Sequence, residues 1–356
     1  MGKTKKFPKR LIALAVFIAA VLIVLFLLQR LLMPKYVSDI VEGAFVAEYY
    51  EETTEHEVVF VGDCEVYENF SPITLYEEYG ITSYIRGSAQ QLVWQSYYLL
   101  EDTLQYETPK VVVFNVLALK YNEPQSEAYN RMTIDGMRLS PAKIGAIRAS
   151  MTEDENMADY LFPILRYHSR WSELTADDVK YMFQTKKVSH NGYYMRVDVR
   201  PVDDFPEPDI LADYTLGENA MSYLDRMREL CEENGIALVL VKSPSLYPYW
   251  YDEWDEQIAA YADEYGLDYF NYIDLADEIG IDYSTDTYDA GLHLNLTGAE
   301  KMSEYFGAYL TENYDLTDYR EDEEYQEVYA EKIRFYEEME AAQYAELEEY
   351  GEIISY

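Results

Sequence analysis

Val58-Val59-Phe60-Val61-Gly62-Asp63-Cys64-Glu65 is the stretch that decides the fold. A short β-branched apolar run that stops at Gly-Asp reads as a buried strand of a parallel sheet ending in a tight turn, with the next residue presented at the sheet's carboxyl edge. A thiol, Cys64, therefore stands where α/β folds place reactive groups. Outward from this strand, helices and strands alternate. Residues 71–79 read as a helix, 81–85 as a strand ending at Arg86-Gly87-Ser88, 90–106 as a helix and 110–116 as an apolar strand. A helix over 217–234, a strand over 236–241, a helix over 252–265 and a strand over 268–273 follow, and Thr297-Gly298-Ala299-Glu300 has capping-box spacing and opens a helix to 313. Units of this length predict an α/β fold: a doubly wound, parallel, five-stranded sheet between two helical layers, flavodoxin-like in arrangement.

The second informative stretch is Asp289-Ala290-Gly291-Leu292-His293-Leu294-Asn295. One carboxylate and one imidazole at close spacing, just before a helix, are the orienter and base that a nucleophile needs. Cys64, His293 and Asp289 are thus the candidate catalytic residues, with Asp286 as the alternative carboxylate. Glu65, directly after the thiol, is expected to raise its pKa. Arg86 and Lys242 end strands at the same edge and are candidates for contacting an anionic substrate group, as is Asp63 in the turn. Four scattered histidines show no ligand spacing, so neither a metal nor a cofactor is expected.

Two regions break the alternation. Residues 122–215 are too long for a loop and hold helical stretches over 141–151 and 159–174 before the irregular 189–194 and the prolines Pro201, Pro206 and Pro208. They read as an insertion that caps the site. Residues 318–350 are acidic and helical, with Tyr325, Val328, Tyr329, Lys332, Tyr336 and Met339 at three- and four-residue spacing, and read as a solvated helix packed back on the domain or on a partner.

At the amino terminus, 11–28 is an unbroken apolar run, extended to residue 33 and long enough to cross a bilayer as a helix. Lys3, Lys5, Lys6, Lys9 and Arg10 precede it, so the positive-inside bias predicts a single-pass cell-membrane protein with a cytoplasmic amino terminus and an extracytoplasmic main domain. No small-x-small cleavage pattern occurs over 31–36, which favours an uncleaved anchor. The organisation reads as a basic tail (1–10), an anchor (11–33), a spacer (34–56), the α/β domain (57–314, with 122–215 inserted) and an acidic helical tail (315–356). A net charge of −39 excludes nucleic acid as a partner. Cys64 and Cys231 are the only cysteines, too few for a disulfide framework.

The order strand, Gly-Asp-Cys, strand, Gly, strand, Asn and a late Asp…His before a helix resembles the SGNH, or GDSL-type, hydrolase superfamily, in particular membrane-anchored bacterial members that modify cell-surface polymers. The resemblance spans about 58–313. It implies that Cys64 holds the nucleophile position that is Ser in the family, Gly87 and Asn115 the oxyanion-hole positions, His293 the base and Asp289 its carboxylate. The chain departs from the family in its Cys, in an Asp-x-x-x-His one residue longer than Asp-x-x-His, and in the lack of Gly-x-Asn-Asp, which leaves Asn122 as the reserve for Asn115. Three functions are compatible with this reading. They are an extracytoplasmic O-acyl esterase or O-acyltransferase acting on a cell-envelope glycan, a catalytically silent module binding such a polysaccharide, and an assembly partner of a membrane-bound acyltransferase.

Overall fold

The computed structural model describes residues 9–34, 41–185, 187–203 and 207–354. Lys3, Lys5, Lys6, Lys35 and Pro206 lie outside the described residues. Five strands form one parallel sheet: β1 (Val58–Gly62), β2 (Ser83–Gly87), β3 (Val111–Asn115), β4 (Ala237–Lys242) and β5 (Asp268–Asn271), in the order β2-β1-β3-β4-β5. β1 lies between β2 and β3, with Gly62 opposite Gly87 and Val61 opposite Phe114. The three inner strands are buried on both faces, which is why they read as continuous runs of Val, Leu and Phe.

The helices follow in chain order. α1 (Lys9–Leu32) is long and apolar enough to cross a membrane; its apolar run is exposed, and only its carboxyl end, where Leu32 is buried, is covered by the fold. α2 (Val41–Glu48), α3 (Cys64–Tyr67), α4 (Pro72–Tyr79) and α5 (Val93–Thr103) come next. Residues expected as spacer are integral instead: Phe45 and Val46 of α2 are fully buried. The insertion contributes α6 (Glu127–Ile134), α7 (Pro141–Ser150), α8 (Met157–Leu161), α9 (Ile164–Tyr167) and α10 (Ala176–Lys180). The single helix expected over 159–174 is broken at Phe162, whose backbone is non-helical, because Pro163 disfavours helical geometry in the residue before it. These helices pack on α5, α2 and the end of α1, and it is the extended segment 188–202 that reaches the sheet's carboxyl edge. There Tyr194 N–H donates to Tyr67 O at 2.7 Å and Arg200 N–H to Thr287 O at 2.9 Å.

α11 (Glu218–Asn234), α12 (Asp252–Tyr265), α13 (Ala276–Ile279), α14 (Leu296–Asn313) and α15 (Glu323–Tyr350) complete the chain. α14 opens two residues earlier than its Thr297 signal, since Asn295 is the residue whose side chain caps it, accepting from Gly298 N–H. Of the two placements its spacing left open, domain or partner, α15 takes the domain, and more of it is buried than a solvated helix implies. Tyr329 is buried and stacks on Tyr76 with ring centroids 3.7 Å apart, Tyr336 Oη lies 3.1 Å from Ser71 Oγ, and Gln343 bonds the backbone of Met195 and Val197. The tyrosine-rich spacing is thus the inner face of a helix that belongs to the core.

Candidate active site

The approach of β1 to its neighbours sets up the nucleophile. A Cβ at Gly62 would lie 3.1 Å from Asn115 Cβ and from Val66, tighter than an ordinary contact, so the turn favours glycine. Asp63 then caps α3 by accepting from Glu65 N–H at 3.2 Å, and Cys64 becomes the first helical residue, its N–H one of the donors that no helical carbonyl accepts. Gly87 ends β2 beside Gly62, with Tyr67 of α3 packed against it.

His293 comes from the far end of the fold. Ala290 and Gly291 both have left-handed backbone, φ 65° and 96°, and this tight double turn lets Asp289 serve the same residue twice. Its carboxylate accepts from His293 N–H at 2.8 Å and lies 2.6 Å from His293 Nδ1. The longer Asp-x-x-x-His spacing is accommodated in this way. The loop is held by Thr287, which bonds both His293 O and Gly291 N–H, and by Tyr247, whose hydroxyl donates to Asp289 O at 2.6 Å. The other imidazole nitrogen, Nε2, is buried without a hydrogen-bond partner of good geometry, and the Cys64 thiol interacts with the ring.

A second carboxylate joins the imidazole. Glu68 Oε2 lies 3.4 Å from His293 Nδ1 and accepts from the Tyr288 hydroxyl, and the Tyr288 ring stacks on His293. Sequence reasoning missed Glu68; its signal was the four-residue spacing from Cys64, which puts both on one helical face. Burial would lower the His293 pKa, but Glu68, Cys64 and Asp289 outweigh it and hold the imidazole well above its ordinary value. Burial pushes the Cys64 thiol up to about 11, against the pull of His293 and with a further push from Asp63 and Glu68. Burial thus favours the protonated thiol, while the carboxylates around the ring favour the protonated imidazole.

Several expected residues lie elsewhere. Asp286 is bound to Lys301 Nζ at 2.6 Å and to Asp282 N–H, so it is not the partner of His293. Asn122 caps α11, accepting from Asn219 N–H. Asn115 donates both amide hydrogens inward, to Glu65 and to Ser243 Oγ, and has none left for an oxyanion. Arg86 is fully buried, paired with Asp102 at 3.1 Å and lying 3.9 Å over the Tyr49 ring, so it does not reach a substrate. Lys242 is likewise closed off, 2.9 Å from both oxygens of Glu65. Glu65 thus faces Lys242, and the acids that raise the thiol are Asp63 and Glu68 instead. Asp63 is itself a buried helix cap, raised to about 6 by its burial and then by Glu65, and not an open substrate contact. Lys120 is the half-buried cation whose charge reaches both Asp63 and Cys64; burial lowers its pKa. It was missed because it follows β3 in a short helical turn, a place that no motif marks.

No family model matches the chain, and no curated protein matches it. Among solved structures it is similar to a lipolytic protein of the G-D-S-L family from Desulfitobacterium hafniense, with TM-score 0.37 and 13% identity over 71% of this chain and 99% of that one. A GDSL-like lipase from Bacteroides thetaiotaomicron gives TM-score 0.36 and 12% identity over 77% and 99%, and an acylhydrolase from Bacteroides fragilis 0.36 and 12% over 75% and 94%.

Proposed function

We propose that the protein is a thiol-based acyl-transfer enzyme, an O-acyl esterase or O-acyltransferase. The observation that carries this reading is the Asp289 carboxylate 2.6 Å from His293 Nδ1, with the Cys64 thiol interacting with the same imidazole. The reacting form carries a neutral His293 imidazole, which takes the thiol proton; the sulfur attacks an ester carbonyl, and the imidazolium so formed returns that proton to the departing alcohol oxygen. The acyl group, now a thioester on Cys64, passes to water or to an acceptor hydroxyl. The Cys64 N–H at the start of α3 is the donor available to the oxyanion, and Gly87 stands beside it at the same edge. Lys120 is the cation placed to attract an anionic part of the substrate.

The reading extends to a substrate outside the cell, a cell-envelope glycan or an acyl donor serving one. What supports this is the apolar α1 with basic residues before it and acidic chain after it. A second reading, glycan binding without turnover, is favoured by the inward-turned Asn115 and by a thiol held protonated. Assay of full-length protein on an activated acyl ester separates the two. Turnover by wild type or by Cys64→Ser, lost in Cys64→Ala, establishes the enzyme. Absence of turnover in both, with glycan binding retained, establishes the binding module.

A further inference from the structure

Outside α1, the exposed phenylalanines and tryptophan among the described residues are Phe162, Trp171 and Phe183, at 58%, 73% and 73% exposure. All three lie in one segment of the insertion, with Leu165 and Val179 also exposed. A soluble surface scatters such side chains; concentration of the large ones in some twenty residues marks a surface that meets something apolar.

What it meets is indicated by its neighbour. α9, the turn at 168–172 and α10 pack on α1, and they do so at its carboxyl end. Arg30 Nε donates to Met182 O at 2.6 Å, and Arg170 donates to Leu32 O at 2.7 Å while bonding Asp178 at 3.1 Å. The segment is thus fastened to the point where the apolar helix ends. Charge agrees with the geometry. The chain carries −39 overall, a field that repels anionic lipid, yet residues 122–187 hold ten acidic and nine basic side chains. The only large part of the ectodomain without a strong negative charge is the part bound to α1.

We propose that the 157–183 segment is seated in the headgroup layer of a lipid bilayer, with Phe162, Leu165, Trp171, Val179 and Phe183 entering the acyl boundary around the end of α1. Aromatic side chains are favoured at that depth because their rings are apolar and their edges tolerate water. The inference rests on α1 crossing the membrane and is independent of the chemistry at Cys64. Its consequence is mechanical: two contacts, a spanning helix and an interfacial patch, fix the tilt of the domain on the membrane where α1 alone would leave it free to swivel.

The test uses full-length protein in phosphatidylcholine vesicles carrying brominated acyl chains. Trp94 and Trp250 are buried and Trp254 half-buried, so Trp171 is the tryptophan open to quenching. Bromolipid should quench part of the emission, that part should disappear in Trp171→Phe, and aqueous acrylamide should fail to reach it. Acrylamide quenching of Trp171 without bromolipid quenching would overturn the proposal. Protection from both quenchers would overturn it too, since a second copy or a partner protein would then cover the patch. Release of the chain from vesicles by alkaline carbonate would remove the premise, and the proposal with it. Esterase activity enters none of these outcomes, so they are separable from failure of the enzymatic reading.

Discussion

Cys64 and Glu65 are adjacent in sequence and anchor two polar clusters that behave in opposite ways. The Glu65 cluster is complete: its carboxylate takes Lys242 and Asn115, Lys242 also reaches Ser243 O, and Ser243 Oγ donates to Glu65 O at 2.7 Å. The Cys64 cluster is incomplete, with two carboxylates crowding one side of His293 and a buried, unmatched Nε2 on the other. A satisfied buried network makes a rigid core, while an unsatisfied one at a sheet edge leaves a group with chemistry to do. Successive helical residues point about 100° apart, so one turn of α3 sends its thiol to the cleft and its carboxylate into the interior.

The sharpest way to break this contrast is at the reacting pair. Cys64→Ala and His293→Ala should each reduce turnover of an activated ester by about 10⁴-fold or more, with the double variant little worse, because the two act as one unit. Additive losses would show that they do not. Next in size is the closed cluster. Lys242→Met leaves Glu65 buried and unpaired and should cost about 3–5 kcal/mol of stability, read as a lowered denaturation midpoint. An unchanged midpoint would mean that the network is not closed.

Asp289→Asn should lower turnover about 10²-fold with the fold retained. Glu68→Gln should have a smaller effect, since Glu68 stands at 3.4 Å where Asp289 stands at 2.6 Å. The reverse order would make Glu68 the orienting acid. Protonation gives a finer measure. The pKa values of Cys64 and His293 are both raised, so each contributes stability that is full below its unfolded-state value and is lost as pH rises through its folded value. Wild type should therefore lose stability more steeply above pH 7 than His293→Gln, and alkylation of Cys64 should accelerate towards about pH 11. Fast alkylation at pH 7 would show an ion pair in place of the neutral thiol. The smallest expected effect is Tyr336→Phe, which removes the bond to Ser71 and should cost about 1 kcal/mol.

The five parallel strands and the carboxyl edge that carries Cys64 were legible because buried parallel strands are apolar throughout and their turns carry Gly and Asp. Cys64, His293 and Asp289 were legible for the same reason: each sits in a short segment whose neighbours dictate the local turn. Arg86, Lys242 and Asn115 were misplaced because a strand-end polar residue is consistent with facing either cleft or interior, and period-two alternation does not say which cluster will receive it. The acidic helix was legible as a helix packed back on the domain or on a partner, but tyrosines at helical spacing do not say which of the two receives them or how deeply they are buried.

The sequence by itself determined the alternating α/β plan, the apolar amino-terminal helix and a thiol and an imidazole at the sheet's edge, because each follows from residues within a few positions of one another. Only the tertiary structure decided that Glu68 joins His293, that Asp289 and not Asp286 orients it, that Asn115 turns inward to Glu65, and that α15 closes the core. Apart from the Asp289–His293 pair, which is four residues apart and settled by the local turn, those outcomes depend on which long-range neighbour satisfies a buried polar group, and such partners are brought by folding from 50 to more than 200 residues away.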